Sequence, residues 1–287
     1  MPHSGGVVTS APSQQHRPSR TRGARRTWSP AALGSAWGLT LALAVLYCVC
    51  VRTATGQRHE NRLHAEALEA RGTLTGWAAR AFGLVERLEP QHLLLGALAV
   101  AVLGLLRGRP GKAAQGLVVA AGTLGLTEVL KLVLLERPEL AQTYGATANS
   151  LPSGHTSAVL GLALGVLVAA PRWLRPPLAL AGAVAAGAMG AFVVADGWHR
   201  VSDVLASALV GALVLCLVQV LPGRDERRRG RLLALALVVP AASAVALVVV
   251  YAGGAPLPVS YLAAGAVVAL TVLAGARALP REVGRGR

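Results

Sequence analysis

Residues 31–51 read AALGSAWGLTLALAVLYCVCV, an uninterrupted apolar run with no charged residue. As a helix rising about 1.5 Å per residue, this run matches the ~30 Å hydrocarbon core of a bilayer. Ahead of it, residues 1–30 carry Pro, Ser, Gly, Gln and five arginines (Arg17, Arg20, Arg22, Arg25, Arg26). This is a basic tail. A cleaved secretory signal has a shorter apolar core followed by a small-residue cleavage site, so the run is read as a retained helix.

Beyond it, apolar runs recur at Gln91–Leu106, Ala113–Leu135, Gly154–Ala170, Pro177–Ala195, Val204–Leu221, Leu232–Ala252 and Val259–Ala276. A membrane barrel requires short segments that alternate apolar and polar residues, and these do not alternate. The expected fold is therefore all-α, a polytopic membrane helical bundle with eight spans. Gly and Ala within the runs suit close helix packing.

Composition agrees. The chain has 287 residues, 54% apolar, 14% charged and 4% aromatic, with mean hydropathy +0.54. Soluble domains carry about 25% charge. Net charge is +15, nearly all of the excess from arginine, since Lys112 and Lys131 are the only lysines. A nucleic-acid binder gathers such charge on one face. Here it sits in short clusters between apolar runs, which points to membrane lipids as partners and to no nucleic acid. Cys48, Cys50 and Cys216 all lie inside apolar runs, without a CxxC or a histidine partner, so neither a disulfide framework nor a zinc site is expected.

Basic residues set the expected orientation. With the N-terminal tail in the cytoplasm, the inner loops are 107–112, 171–176 and 222–231, together with the tail from Arg277, and each is basic. The outer segments are 52–90, 136–153, 196–203 and 253–258. Both termini then lie in the cytoplasm. In the long outer loop, Leu63, Ala67, Ala70, Leu74, Trp77, Ala81, Leu84 and Leu88 recur at helical spacing, the pattern of an amphipathic helix. His59, Glu60 and His64 have the wrong spacing for the H-E-x-x-H zinc signature.

Polar residues inside spans are costly and mark function. They gather at three places, all on the expected outer face. The first is Glu128, Lys131, Arg137 and Pro138, where two cations near a helix end make an anion site, or Lys131 pairs with Glu128 three residues back. The second is Asn149 to Thr156, reading NSLPSGHT. Free N–H groups at a helix start bind phosphate, and His155 is a proton donor or acceptor near neutral pH. An ordinary helix cap is the plainer reading. The third is Asp196 to Asp203, DGWHRVSD, in which His199 and Asp203 share a helical face. A carboxylate on one ring nitrogen leaves the other as nucleophile or base. Together these groups are an inventory for phosphoryl transfer without a metal, cofactor or nucleotide cradle.

Lys131…Arg137-Pro138, Pro152-Ser153-Gly154-His155 and His199-x-x-x-Asp203 stand in the order of the three motifs of the type 2 phosphatidic acid phosphatase superfamily, which the chain resembles over roughly residues 90–222. The resemblance implies a six-helix phosphatase core plus two additional C-terminal transmembrane helices. The domain plan is a tail at 1–30, a phosphatase-like membrane domain at 31–222, and two extra spans with a basic tail at 223–287. It implies that His199 is the nucleophile, Asp203 its orienting carboxylate and His155 the acid for the leaving oxygen. Lys131, Arg137, Ser153 and Gly154 would hold the phosphate. The implied substrate is a lipid phosphate monoester or a polyprenyl diphosphate, hydrolysed at the extracytoplasmic face of the cell membrane.

Two departures stand out. The family has six residues between Lys and Arg-Pro, and Leu132–Glu136 is five. The Ser-Arg of the third motif falls at Phe192-Val193, so its arginine is missing, and Arg200 is the expected substitute. The missing arginine leaves two alternatives to a hydrolase: a family member that binds or moves lipid phosphates without hydrolysis, and a lipid phosphotransferase.

Overall fold

The computed structural model describes residues 1, 30–71, 83, 90–142, 149–219 and 226–280. Within them the chain is a bundle of helices: α1 (Pro30–Cys50), α2 (Ala54–Ala70), α3 (Pro90–Leu106), α4 (Pro110–Val129), α5 (Gly154–Ala169), α6 (Arg175–Ala195), α7 (Val201–Gln219), α8 (Glu226–Leu247) and α9 (Leu257–Ala278). There is no strand among the described residues.

Among the described residues, six stretches are long and apolar enough to cross a membrane: Ala32–Cys50, Pro110–Leu134, Arg175–Ala195, Val201–Gln219, Gly230–Ala252 and Leu257–Ala278. This is a polytopic helical membrane protein. Two of the eight expected spans are shorter helices, His92–Leu106 and Gly154–Ala169. A 16-residue helix such as α5 reaches only about 24 Å.

The core is built on α7, which is buried along nearly its whole length. Around it stand α1, α4, α5, α8 and α9, and α6 packs mainly against α5 and α9. Lipid tails are as apolar as leucine, so burial alone drives no association between membrane helices, and close packing of small residues does. Two glycine pairs show this. A Cβ on Gly165 would lie 2.5 Å from the Gly116 carbonyl oxygen, locking α5 to α4. A Cβ on Gly265 would lie 2.5 Å from the Gly187 carbonyl oxygen, locking α9 to α6. The last two helices, expected as an addition, share one core with the rest: Leu232, Leu235, Val239, Val268 and Val272 are buried in it. The outer surface is apolar, with Trp37, Leu94, Leu106, Leu132, Leu180 and Leu237 exposed.

The amphipathic pattern of the long loop appears as α2, whose Leu63 and Ala67 are buried. Leu74, Trp77, Ala81, Leu84 and Leu88 lie outside the described residues. Thr53 starts α2 as its N-cap, accepting the Gly56 N–H at 3.0 Å. The helix lies across one end of the bundle. Gln57 donates to the Pro138 carbonyl, Asn61 donates to the Gln142 carbonyl at 2.9 Å, and Arg71 pairs with Asp196 at 2.9 Å. The segments 52–71, 136–142, 149–153 and 196–203 thus meet at one end of the bundle.

Candidate active site

The third motif begins with a turn. Gly197 has φ +66, a conformation other residues rarely take. The Trp198 and His199 N–H groups donate back to the Val193 carbonyl at 3.0 and 2.8 Å. The chain then enters α7, which puts His199 and Asp203 one turn apart. His199 Nδ1 lies 3.1 Å from Asp203 Oδ2. The same oxygen accepts the Ser150 hydroxyl at 2.7 Å and the Arg200 N–H at 2.9 Å. An acceptor that saturated fixes the imidazole with Nδ1–H toward the carboxylate and leaves Nε2 as the lone-pair nitrogen.

The second motif is pinned to the same helix. The Ser153 N–H donates to the Asp203 carbonyl at 3.1 Å, and the Ser207 hydroxyl donates to the Ser153 carbonyl at 2.9 Å. Ser153 is fully buried and is the N-cap of α5, its hydroxyl oxygen accepting the Thr156 N–H at 3.3 Å. The helix-cap reading of Ser153 is therefore realised. His155 is exposed at the start of α5. Its ring packs on Trp198 at 5.2 Å between centroids and stands 6.3 Å from the His199 ring, at 66°. Trp198 rests in turn on Phe192, at 4.9 Å.

The first motif arrives on a widened π turn, Leu130–Leu134, that ends the α4 span. Such turns recur at functional sites. Lys131 Nζ donates to Glu128 Oε1 at 2.7 Å. That pair sits against Gly154, where an added Cβ would be 2.8 Å from Glu128 Oε1 and 3.4 Å from Lys131 Nζ. Lys131 is thus paired with Glu128, as one of the two sequence readings had it, and stands beside the second motif.

Arg137 lies on the other side, beneath α2. Its Nη2 donates to Asn61 Oδ1 at 3.3 Å, and its Nε and Nη1 are buried without a hydrogen-bond partner among the described residues. Burial and the neighbouring Arg200 hold its guanidinium below the ordinary arginine value. Arg200 is 3% exposed. Its Nε donates to the same Asn61 oxygen at 3.3 Å and its Nη1 to the Ser150 hydroxyl at 3.2 Å. All eight residues singled out from the sequence therefore gather around the junction of α4, α5 and α7. The positions of the missing Ser-Arg, Phe192 and Val193, are buried and apolar.

Several groups around the site lie outside the three motifs. Asn149 Nδ2 bonds the Lys131, Leu135 and Leu151 carbonyls, tying the first motif to the second. On α2, Glu60 is 1% exposed and accepts the Ser202 hydroxyl at 2.6 Å and the Tyr251 hydroxyl. Tyr251 stands in a second π turn, Val248–Ala252, at the end of α8. Burial, with Asp203 nearby, pushes the Glu60 carboxyl up to about 7. Burial and Arg200 pull the His64 imidazole down to about 4, and its Nδ1 has no hydrogen-bond partner among the described residues. The amphipathic periodicity located α2, but only side-chain placement shows which of its polar residues point inward. No cluster of three or more His, Cys, Asp or Glu residues suited to a metal ion occurs among the described residues.

One end of a membrane helical bundle thus gathers two facing histidines, a carboxylate and three cationic side chains. Residues 112–227 match the family model of the PAP2 superfamily. No curated protein and no solved structure matches the chain.

Proposed function

We propose that the protein is an integral membrane phosphatase that hydrolyses lipid phosphate monoesters or diphosphates through a phosphohistidine, at the extracytoplasmic face. One observation carries the reading: the His199 ring, held through Nδ1 by Asp203, faces His155 across 6.3 Å. His199 Nε2 attacks phosphorus as the bond to the lipid oxygen breaks. His155 gives its proton to that oxygen, and the lipid alcohol or monophosphate leaves. Water, deprotonated by His155, then attacks phosphorus; the N–P bond breaks and inorganic phosphate is released. Lys131, the α5 N-terminus and Arg137 stabilise the charge that develops on the phosphoryl oxygens. Arg200 stands in for the arginine missing at Phe192-Val193. The basic loops at 107–112 and 171–176 support a cytoplasmic assignment for the opposite end.

The test is phosphate release from lipid mono- and diphosphates by the detergent-purified full chain, with chelator present, beside His199→Ala. Release that the variant loses supports the reading. A second reading, a member that binds or moves lipid phosphates without hydrolysis, rests on the apolar Phe192-Val193 pair. It predicts phosphate binding with no release in either protein. An alcohol acceptor that diverts the phosphoryl group from water would instead identify a phosphotransferase.

A further inference from the structure

The matched family segment begins at residue 112, yet the site is closed by a side chain well ahead of it. Asn61 is 2% exposed and sits on the inner face of α2. Its amide nitrogen is anchored on the Gln142 carbonyl at 2.9 Å, which fixes the rotamer and turns Oδ1 toward the site. That one neutral oxygen accepts both Arg137 Nη2 and Arg200 Nε, each at 3.3 Å. Two guanidinium groups repel each other when brought together in a partly buried place. A shared acceptor offsets this without cancelling either charge, as a carboxylate would. Glu60, the neighbouring carboxylate, is turned away to Ser202 and Tyr251.

We propose that Asn61 is a positioning residue of the phosphate site, holding Arg137 and Arg200 side by side as a clamp that replaces the arginine absent at Val193. The α2 helix is then part of the site. Arg137 keeps Nε and Nη1 for the anion, while Arg200 is steadied between Asn61 and Ser150. This rests on the phosphatase reading for its effect on turnover. Its effect on phosphate binding does not depend on that reading.

The experiment uses the full chain in detergent. Inorganic phosphate binding is measured by equilibrium titration, and turnover on a lipid phosphate monoester is measured in parallel. Asn61→Leu keeps the volume and removes the acceptor; it is expected to weaken phosphate binding and kcat/KM by about tenfold to a hundredfold. Arg200→Ala should cost a similar factor, and the double variant little more, since residues acting through one another are not additive. Asn61→Asp separates positioning from mere structure. It should keep thermal stability at or above that of the parent, because it still ties both arginines, yet weaken phosphate binding at least about tenfold by neutralising them. The proposal is overturned by unchanged phosphate affinity in folded Asn61→Asp, by full additivity of the Asn61→Leu and Arg200→Ala losses, or by a parent chain that binds no phosphate. Phosphate binding that obeys these rules in a parent chain without turnover would overturn the phosphatase reading and leave the clamp standing.

Discussion

The rings of His155 and His199 stand 6.3 Å apart, with their planes at 66°. Only His199 has a carboxylate on its ring nitrogen. In the proposed mechanism one phosphoryl group lies between the two rings, with a histidine on each side. The two histidines should therefore fail differently. His199→Ala is expected to abolish turnover on every substrate. His155→Ala should slow lipid phosphates by about 10²- to 10⁴-fold, whereas p-nitrophenyl phosphate, whose leaving group needs no proton, should still give a fast burst of nitrophenol before a slow, base-deprived release of phosphate. A variant that shows no burst with p-nitrophenyl phosphate would remove His155 from the acid role. Asp203→Asn should lower kcat while leaving phosphate affinity near that of the parent, because it disturbs the tautomer of His199 and not the anion contacts.

Gly154 is small because the Lys131–Glu128 pair occupies the space beside it. Gly154→Ala pushes on the ends of two flexible side chains, so the structural cost should be below about 1 kcal/mol. The displaced Lys131 should show instead as a higher inhibition constant for phosphate. Comparing that constant with the thermal midpoint of the same variant checks the assignment, and an unchanged constant would count against Lys131 as a phosphate contact.

Gly265 meets backbone rather than a movable side chain, at the Gly187 carbonyl. Gly265→Leu should separate α9 from α6 and destabilise the protein by about 1–3 kcal/mol or more, although it lies far along the chain from the three motifs. Thermal unfolding in detergent reads this directly. A midpoint equal to that of the parent would mean that the last two helices are not integral to the core.

Glu60 ties α2 to α7 through Ser202 and to the end of α8 through Tyr251. Its folded value, about 7, lies above the ordinary 4.5. The folded state therefore binds this proton more tightly than the unfolded chain does. The corresponding stabilisation is fully present below about 4.5 and is lost as pH rises through about 7. His64 acts in the opposite sense. Its value falls from 6.5 to about 4, so its contribution is present above 6.5 and lost as pH drops toward 4. The two contributions oppose each other between about 4.5 and 6.5, so amide-exchange protection of α2 should decline in the parent as pH rises past 6.5 and through about 7. Glu60→Gln should flatten the decline, and a decline that persists in Glu60→Gln would assign it to another group.

The sequence alone carried the bundle, the spans and the three motifs. Membrane crossing depends on run length and the absence of charge, as in Ala31–Val51, and both can be counted along the chain. The His199–Asp203 pair was legible because four residues is one helical turn, and the Lys131–Glu128 pair because three residues is nearly one. The remainder required tertiary structure, because it depends on contacts between residues far apart in the chain. Asn61 joins Arg137 and Arg200 across 76 and 139 residues, and Tyr251 reaches Glu60 across 191. No periodicity encodes such pairings; they arise where α2 folds back over the end of the bundle. The place of the last two helices was likewise decided in three dimensions, by a backbone approach between Gly187 and Gly265 that neither segment reveals by itself.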